Sequence, residues 1–310
     1  MLGKENKQPS LGQLEAVSRL PKDHFLKVID QKIDWKPIEK ELNKLYPSKR
    51  GRPSYPPLMM FKALLLENWY NLSDPALEEA IRDRISFQWF LGLSFTDDIP
   101  DETTICRFRG LLADRGLNDK LFRLVNKQLD SMGLILKRGS LIDATLVEAN
   151  RRPGGDPDAD WTKRGKKVHY GYKVHMTVDQ GSEIIRNVDL TPASVHDSNK
   201  FVEMICGDEG AVFADKAYDK DGRKAVLREY GIYCGIMNKG RRNRKLSRRQ
   251  KRLNKAFSKV RSAVERPFGV LKRSYGWSRV RYVGLVKNRA HIFMASICFN
   301  LKKMVVFVGI

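Results

Sequence analysis

The sequence predicts an α/β protein: a mixed sheet flanked by helices, preceded by an all-helical N-terminal block. Three observations carry this reading. Residues 51–133 repeat apolar positions at helical spacing between helix start and stop signals. After Gly133 the pattern changes to alternating β-formers, clearest in HYGYKVHMTVDQ. From residue 196 onward, short apolar runs alternate with helical segments, the pattern of a sheet whose strands are joined through helices.

Taken in order, residues 1–50 read as an N-terminal arm and linker with helical pieces. DWKPIEKELNKLY places Ile38, Leu42 and Leu45 on one face. PSKRGRPSYPP is dense in Pro, Gly and cations and reads as a loop. PLMMFKALLLENWYNL is a buried helix. SDPALEEAIRDRISFQWFLGL opens on Ser73 as N-cap with Pro75 early, and Gly92 ends it. PDETTICRFRGLLADRGL is capped by Asp101 or Thr103 and stopped by Gly116, and LNDKLFRLVNKQLDSMG follows as a further helix. Residues 51–133 are therefore a helical domain.

The second domain, 134–304, begins with three strands in meander order: GSLIDATLVEA, HYGYKVHMTVDQ and EIIRNVDLTPA. HDSNKFVEMICG (helix), AVFADKAYD (strand), KDGRKAVLREYG (helix) and IYCGIMN (strand) follow. GGDPDADW, after Gly-Gly and Pro, reads as a mobile loop. A basic segment at 239–259 leads into AFSKVRSAVERPFGVLKRSYG, a helix that Pro267 can kink. HIFMASICFNLKKMVVFVGI ends the chain as a packing helix with an apolar tail at 305–310. Asn300, Lys302 and Lys303 interrupt it, so a bilayer span is not expected.

Charge is the strongest functional signal. The chain carries 58 Lys and Arg against 36 Asp and Glu, a net +22. Nearly all the excess follows Gly231, where twenty-one cations accompany a single acid, Glu265. A polyanionic partner follows, with nucleic acid the default and a membrane surface the weaker option. Cys106, Cys206, Cys234 and Cys298 show no CxxC spacing, so neither a zinc site nor a disulfide framework is expected; they read as buried, reduced thiols. The polar start MLGKENKQPS does not read as a signal peptide, which points to a cytoplasmic protein.

Three carboxylates stand out by position. Asp143 lies inside a strand, where Asp is disfavoured and costly to bury alone. Asp215 ends a core strand, where α/β sheets place ligands. Glu265 lies on a helix with Arg261 at i−4 and Lys272 at i+7 on the same stripe. Singly, each has an ordinary explanation: a hydrogen-bonded core Asp, a turn cap, and a surface ion pair with Arg261 or Arg266. Together they suggest oxygen ligands for hard divalent cations.

These strings, in this order, resemble the DDE transposases of bacterial insertion sequences, in the insertion-sequence-five group. GRPSYPPLMMFKALLLE, SDPALEEAIRDRISFQWFLGL and PDETTICRFRGLL resemble that group's N-terminal region. IDATLVEA, GYKVHMTVD, FADKAYD and VERPFGVLKR resemble its catalytic core. The resemblance implies an RNase H-like core with Asp143, Asp215 and Glu265 as catalytic residues and metal ligands. It implies two Mg²⁺ or Mn²⁺ ions, double-stranded DNA as partner (element ends and target), and a homo-oligomer on DNA. Arg261, Glu265 and Lys272 fit the family's C-terminal signature, whereas its Tyr position holds Ser258. Phosphate contacts are expected from Arg241, Arg242, Arg244, Lys245, Arg248, Arg249, Arg261 and Lys272. Arg107 and Arg109, with Thr103 and Thr104, begin a helix that would serve in DNA recognition. A non-catalytic DNA-binding regulator and a nuclease that cuts without joining are the alternative readings. His196-Asp197 reads as a loop residue and a helix cap. Lys173 and His175 share a strand face open to DNA or to solvent, and Trp161 is compatible with base stacking or packing.

Overall fold

The computed structural model describes residue 15 and residues 17–47, 53–220, 222–242 and 245–309. The chain divides into two compact units, Met1–Gln128 with Phe293–Ile310, and Leu129–Ile292.

The first unit is helical: α1 (Phe25–Lys32), α2 (Lys36–Leu42), α3 (Pro57–Tyr70), α4 (Asp74–Asp83), α5 (Ile85–Leu91), α6 (Glu102–Asp114) and α7 (Leu117–Ser131). The Ser73 side chain accepts the Ala76 N–H at the start of α4, Gly92 closes α5 at φ 73°, and Asp101 caps α6 through the Thr104 N–H. The sequence expectation of one helix from Ser73 to Gly92 is corrected to two. Arg84 between them is extended (φ −101°, ψ 111°), and its guanidinium lies over the Tyr70 and Phe87 rings.

The final helix, Leu285–Phe307, runs three residues into the expected tail at 305–310. From Phe293 on it groups with the helices of the first unit. The cause is specific packing. The Trp69 Nε1–H donates to the Cys298 carbonyl at 3.0 Å, Asn300 Nδ2 donates to Asn126 Oδ1 at 2.8 Å, and the Phe122 and Phe293 rings stand 5.7 Å apart. By length and composition this helix could cross a membrane, contrary to expectation, but 72% of its most apolar window is buried in protein. The four cysteines are free; Cys298 is buried, whereas Cys106 and Cys206 are exposed rather than buried as expected.

The second unit holds a six-stranded sheet: β1 (Ser140–Glu148), β2 (Asp160–Arg164), β3 (Lys167–Asp179), β4 (Ile185–Pro192), β5 (Ala211–Ala214) and β6 (Tyr233–Ile236). Its helices are α8 (Phe201–Met204), α9 (Arg223–Glu229), α10 (Arg248–Arg261) and α11 (Glu265–Ser274), and the C-terminal helix is α12 (Leu285–Phe307). β1, β3 and β4 form the antiparallel meander, and β5 and β6 continue parallel from the other edge of β1. This mixed sheet with its flanking helices is the α/β arrangement read from the sequence. On one face Ile142, Val212 and Ala214 pack with Phe201, Met204, Tyr218 and Leu227. On the other, Phe213 meets Phe257 of α10 at 5.9 Å.

Four local expectations change. The GGDPDADW loop is tied down: buried Asp156 accepts from the Tyr172 hydroxyl at 2.8 Å, and Asp158 accepts the Leu285 N–H at 2.7 Å. It leads into the unforeseen strand β2, which pairs with the start of β3 across a two-residue turn with Gly165 at φ 62°. The basic segment is half helical, since α10 begins at Arg248, and the chain breaks at the turn Ser262–Val264 rather than at Pro267. The helix expected in HDSNKFVEMICG is a short turn followed by α8, and His196, not Asp197, caps it through the Ser198 N–H.

Candidate active site

β1 and β5 run parallel with Ile142 beside Ala214, so the next residues, Asp143 and Asp215, continue the two neighbouring strands together. Alternation puts them on the Phe213 side of the sheet, the side that α10 covers. Asp143 is half-buried, and its Oδ1 accepts the Ala144 N–H at 2.9 Å. Asp215 caps the turn after β5, accepting the Lys216 N–H at 2.6 Å. That is the ordinary role read for it, compatible with a second one.

Arg261, the last residue of α10, reaches across to Asp143, Nη1 to Oδ2 at 2.5 Å. Its expected place among outward DNA contacts is corrected: the guanidinium neutralises a carboxylate of the sheet. Arg266 is paired with Glu183. Both ordinary partners of Glu265 are thus engaged elsewhere. Glu265 itself is exposed at the first position of α11, one turn of chain beyond Arg261, and forms no ion pair among the described residues. Among the described residues, no three His, Cys, Asp or Glu side chains stand close enough to hold a metal ion. The fold brings Asp143 and Asp215 together and leaves Glu265 short of them.

Burial raises the Asp143 carboxyl above its ordinary value. The Arg261 guanidinium and the Ala144 N–H oppose the rise, and negative charge on Asp215 and Asp197 adds to it. Asp197, read from the sequence as a helix cap, lies near enough for its charge to act on Asp143. It pairs with Lys173 Nζ at 2.8 Å, and the same ammonium donates to the Val195 carbonyl at 2.6 Å, so Lys173 is not open to DNA. His175 is fully buried and equally unavailable. Tyr218, three residues after Asp215, was missed. It is buried, its hydroxyl has no hydrogen-bond partner among the described residues, and the charges of Asp197, Asp143 and Asp215 act on it. The only sequence signal was its nearness to Asp215 in FADKAYD.

The expected DNA contacts divide. Arg241, Arg242, Lys245, Arg248, Arg249 and Arg107 are exposed, and Arg244 lies outside the described residues. The first turn of α10 carries cations and no acid, and a Ser247–Gln250 capping box holds it in place. Cations at a helix N-terminus oppose the helix dipole, so an anion there would be stabilising. Arg109 is a correction. It binds Glu67, which is buried, at 2.9 Å and also Asp74. Lys272 is half-buried, donates to the Leu146 carbonyl at 3.3 Å, and lines a cavity.

Residues 14–111 match the family described as Transposase domain (DUF772), and residues 135–301 match the Transposase DDE domain. This chain belongs to the DDE transposase family. A solved structure similar to the transposase is described as "Cryo-EM structure of piggyBac transposase synaptic complex with hairpin DNA (SNHP)"; at 12% identity it gives a TM-score of 0.48, covering 92% of this chain and 74% of that one. DDE domains generally use divalent metals. The transposase's own donors suit one. Asp143 and Asp215 offer hard oxygens on neighbouring strands, and the nearby Tyr218 hydroxyl has no partner among the described residues.

Proposed function

We propose that the transposase binds the ends of an insertion sequence as an oligomer, cleaves a phosphodiester there, and joins the freed 3′-hydroxyl to target DNA. The observation that supports this most is the side-by-side placement of Asp143 and Asp215 under a cationic helix. In this reading Asp143, Asp215 and Glu265 hold Mg²⁺ or Mn²⁺. When bound, two such ions activate the attacking oxygen and stabilise the leaving one. Arg261 keeps the Asp143 carboxylate ionised and oriented. Arg241, Arg242, Lys245, Arg248 and Arg249 hold phosphates and gather DNA over the site. Glu265, the single acid of the basic region, supplies a carboxylate from the helical side, which answers why one acid stands among twenty-one cations. The protein works in the cytoplasm, on the cell's own DNA.

The test is substitution of each carboxylate. Asp143→Asn, Asp215→Asn and Glu265→Gln are each expected to abolish cleavage of element-end DNA in Mg²⁺ while DNA affinity changes less than about tenfold. Near-normal cleavage by any one variant removes that residue from the site. A wild-type protein that binds without cutting is a regulator, and one that cuts without joined product is a nuclease.

A further inference from the structure

We propose that Tyr218 is a positioning residue of the carboxylate centre, its buried hydroxyl serving a hydrogen bond made when Asp143 and Asp215 hold a divalent ion. This rests on the metal-dependent reading above. Tyr218 is 1% exposed, and its hydroxyl has no hydrogen-bond partner among the described residues. Buried polar side chains are paired as a rule, and an exception calls for a reason. Tyr172 keeps the rule in the same unit: it is fully buried, and its hydroxyl donates to Asp156 at 2.8 Å. Phenylalanine would fill the place of Tyr218 without an unpaired donor.

The fold sets Tyr218 against the strands of both aspartates. Its N–H donates to the Asp215 carbonyl at 3.0 Å, within the turn Lys216–Tyr218. Its ring packs among Ile142 and Ala214, the residues immediately before Asp143 and Asp215, with the Phe201 ring 5.7 Å away. By alternation that is the face opposite the two carboxylates. The β1–β5 pairing ends at Ile142 and Ala214, however, so past this pair no strand on the β5 side of β1 separates the two faces. Burial, and then the negative charges of Asp197, Asp143 and Asp215, raise the phenol above its ordinary value, so it stays a neutral O–H donor.

The residue is also held in place. Arg223 Nη1 donates to the Tyr218 carbonyl at 3.0 Å, Nη2 donates to the Ser198 carbonyl, and the guanidinium lies 4.8 Å over the Phe201 ring. This clips the Tyr218 turn to the turn Asp197–Lys200, where Lys173 holds Asp197 at 2.8 Å. Arg261, which binds Asp143 through Nη1, has its Nε buried and likewise without a partner among the described residues. Divalent ions of this class take oxygen ligands, which are hydrogen-bond acceptors. Fixed donors around such ligands orient the carboxylates that hold the ion.

The experiment uses the full-length protein with Mn²⁺ alone, counting bound ion by electron paramagnetic resonance and reading stability as the thermal midpoint in EDTA. Tyr218→Phe is expected to weaken Mn²⁺ binding by about 10–100-fold, with a midpoint equal to or above that of wild type. Tyr172→Phe, which loses a hydrogen bond already made, should show the reverse: Mn²⁺ binding as in wild type and a midpoint lower by about 3–10 °C. Unchanged Mn²⁺ binding by Tyr218→Phe overturns the proposal. So does a midpoint lowered as far as in Tyr172→Phe, which would mean that the hydroxyl bonds within the metal-free protein. Asp143→Asn separates this inference from the reading beneath it. Where Asp143→Asn loses Mn²⁺ and Tyr218→Phe does not, only the role of Tyr218 falls; where wild type binds no Mn²⁺, the metal-dependent reading fails first and this inference with it.

Discussion

His175 shows how far one buried side chain can couple the sheet to pH. Its Nε2 lies 2.9 Å from Thr191 Oγ1, its Nδ1 has no partner among the described residues, and burial pushes the imidazole down to about 4. The unfolded chain titrates this group near about 6.5. Between those values the unfolded state binds more protons, so stability is fully present above pH about 6.5 and is lost as pH falls through about 4. The loss approaches about 3 kcal/mol, since each tenfold difference in proton affinity between the two states corresponds to about 1.4 kcal/mol. Urea unfolding at pH 7 and pH 5 should show wild type losing more stability than His175→Gln; equal losses would mean that His175 is not the titrating group. At the same scale, Arg109 and Arg261 look like DNA-contacting cations in sequence, yet each neutralises carboxylates of its own unit.

At the scale of elements, the junction of β1 with β3 admits only glycine at position 171. Glu148 and Gly171 are register partners, and Ala149 donates to the Tyr170 carbonyl at 3.1 Å just beyond them. The backbones approach too closely for a side chain at 171, where a Cβ would also stand 2.6 Å from the Ala149 nitrogen. Gly171→Ala is expected to destabilise the protein by about 1–3 kcal/mol, the range for overpacking. Thermal unfolding checks this; a variant as stable as wild type would show that the junction yields easily.

For the whole molecule, the N-terminal helices and the end of α12 fall in one unit, which changes how the chain can be divided. A fragment of residues 1–135 retains the helices expected to recognise DNA but lacks Phe293–Phe307. Trp69 then loses its acceptor, Cys298, and Phe122 loses the Phe293 ring. Such a fragment should fold without cooperativity or aggregate, and appending residues 293–310 through a flexible linker should restore a cooperative thermal transition. Cooperative unfolding of 1–135 alone would show that α12 is dispensable. Footprinting of element ends by the helical unit is therefore best done with α12 attached.

Much of the fold was legible because its signals are local. Ser73, Asp101 and Gly92 cap as read, since capping involves residues only a few positions apart. β1, β3 and β4 were found by alternation, and the DDE resemblance placed Asp143 and Asp215, which the parallel β1–β5 register brings side by side. Strand β2 was illegible because DWTKR is largely exposed and has no apolar alternation; its pairing with β3 alone makes it a strand. The partners of Arg109, Arg261 and Lys173, the place of Asp197, and the unit to which α12 belongs were equally hidden. Sequence by itself determined which charges this transposase carries and where its strands and caps fall. Tertiary structure decided which charges are spent within the protein and which remain exposed, because an ion pair depends on distance in space, not on separation along the chain.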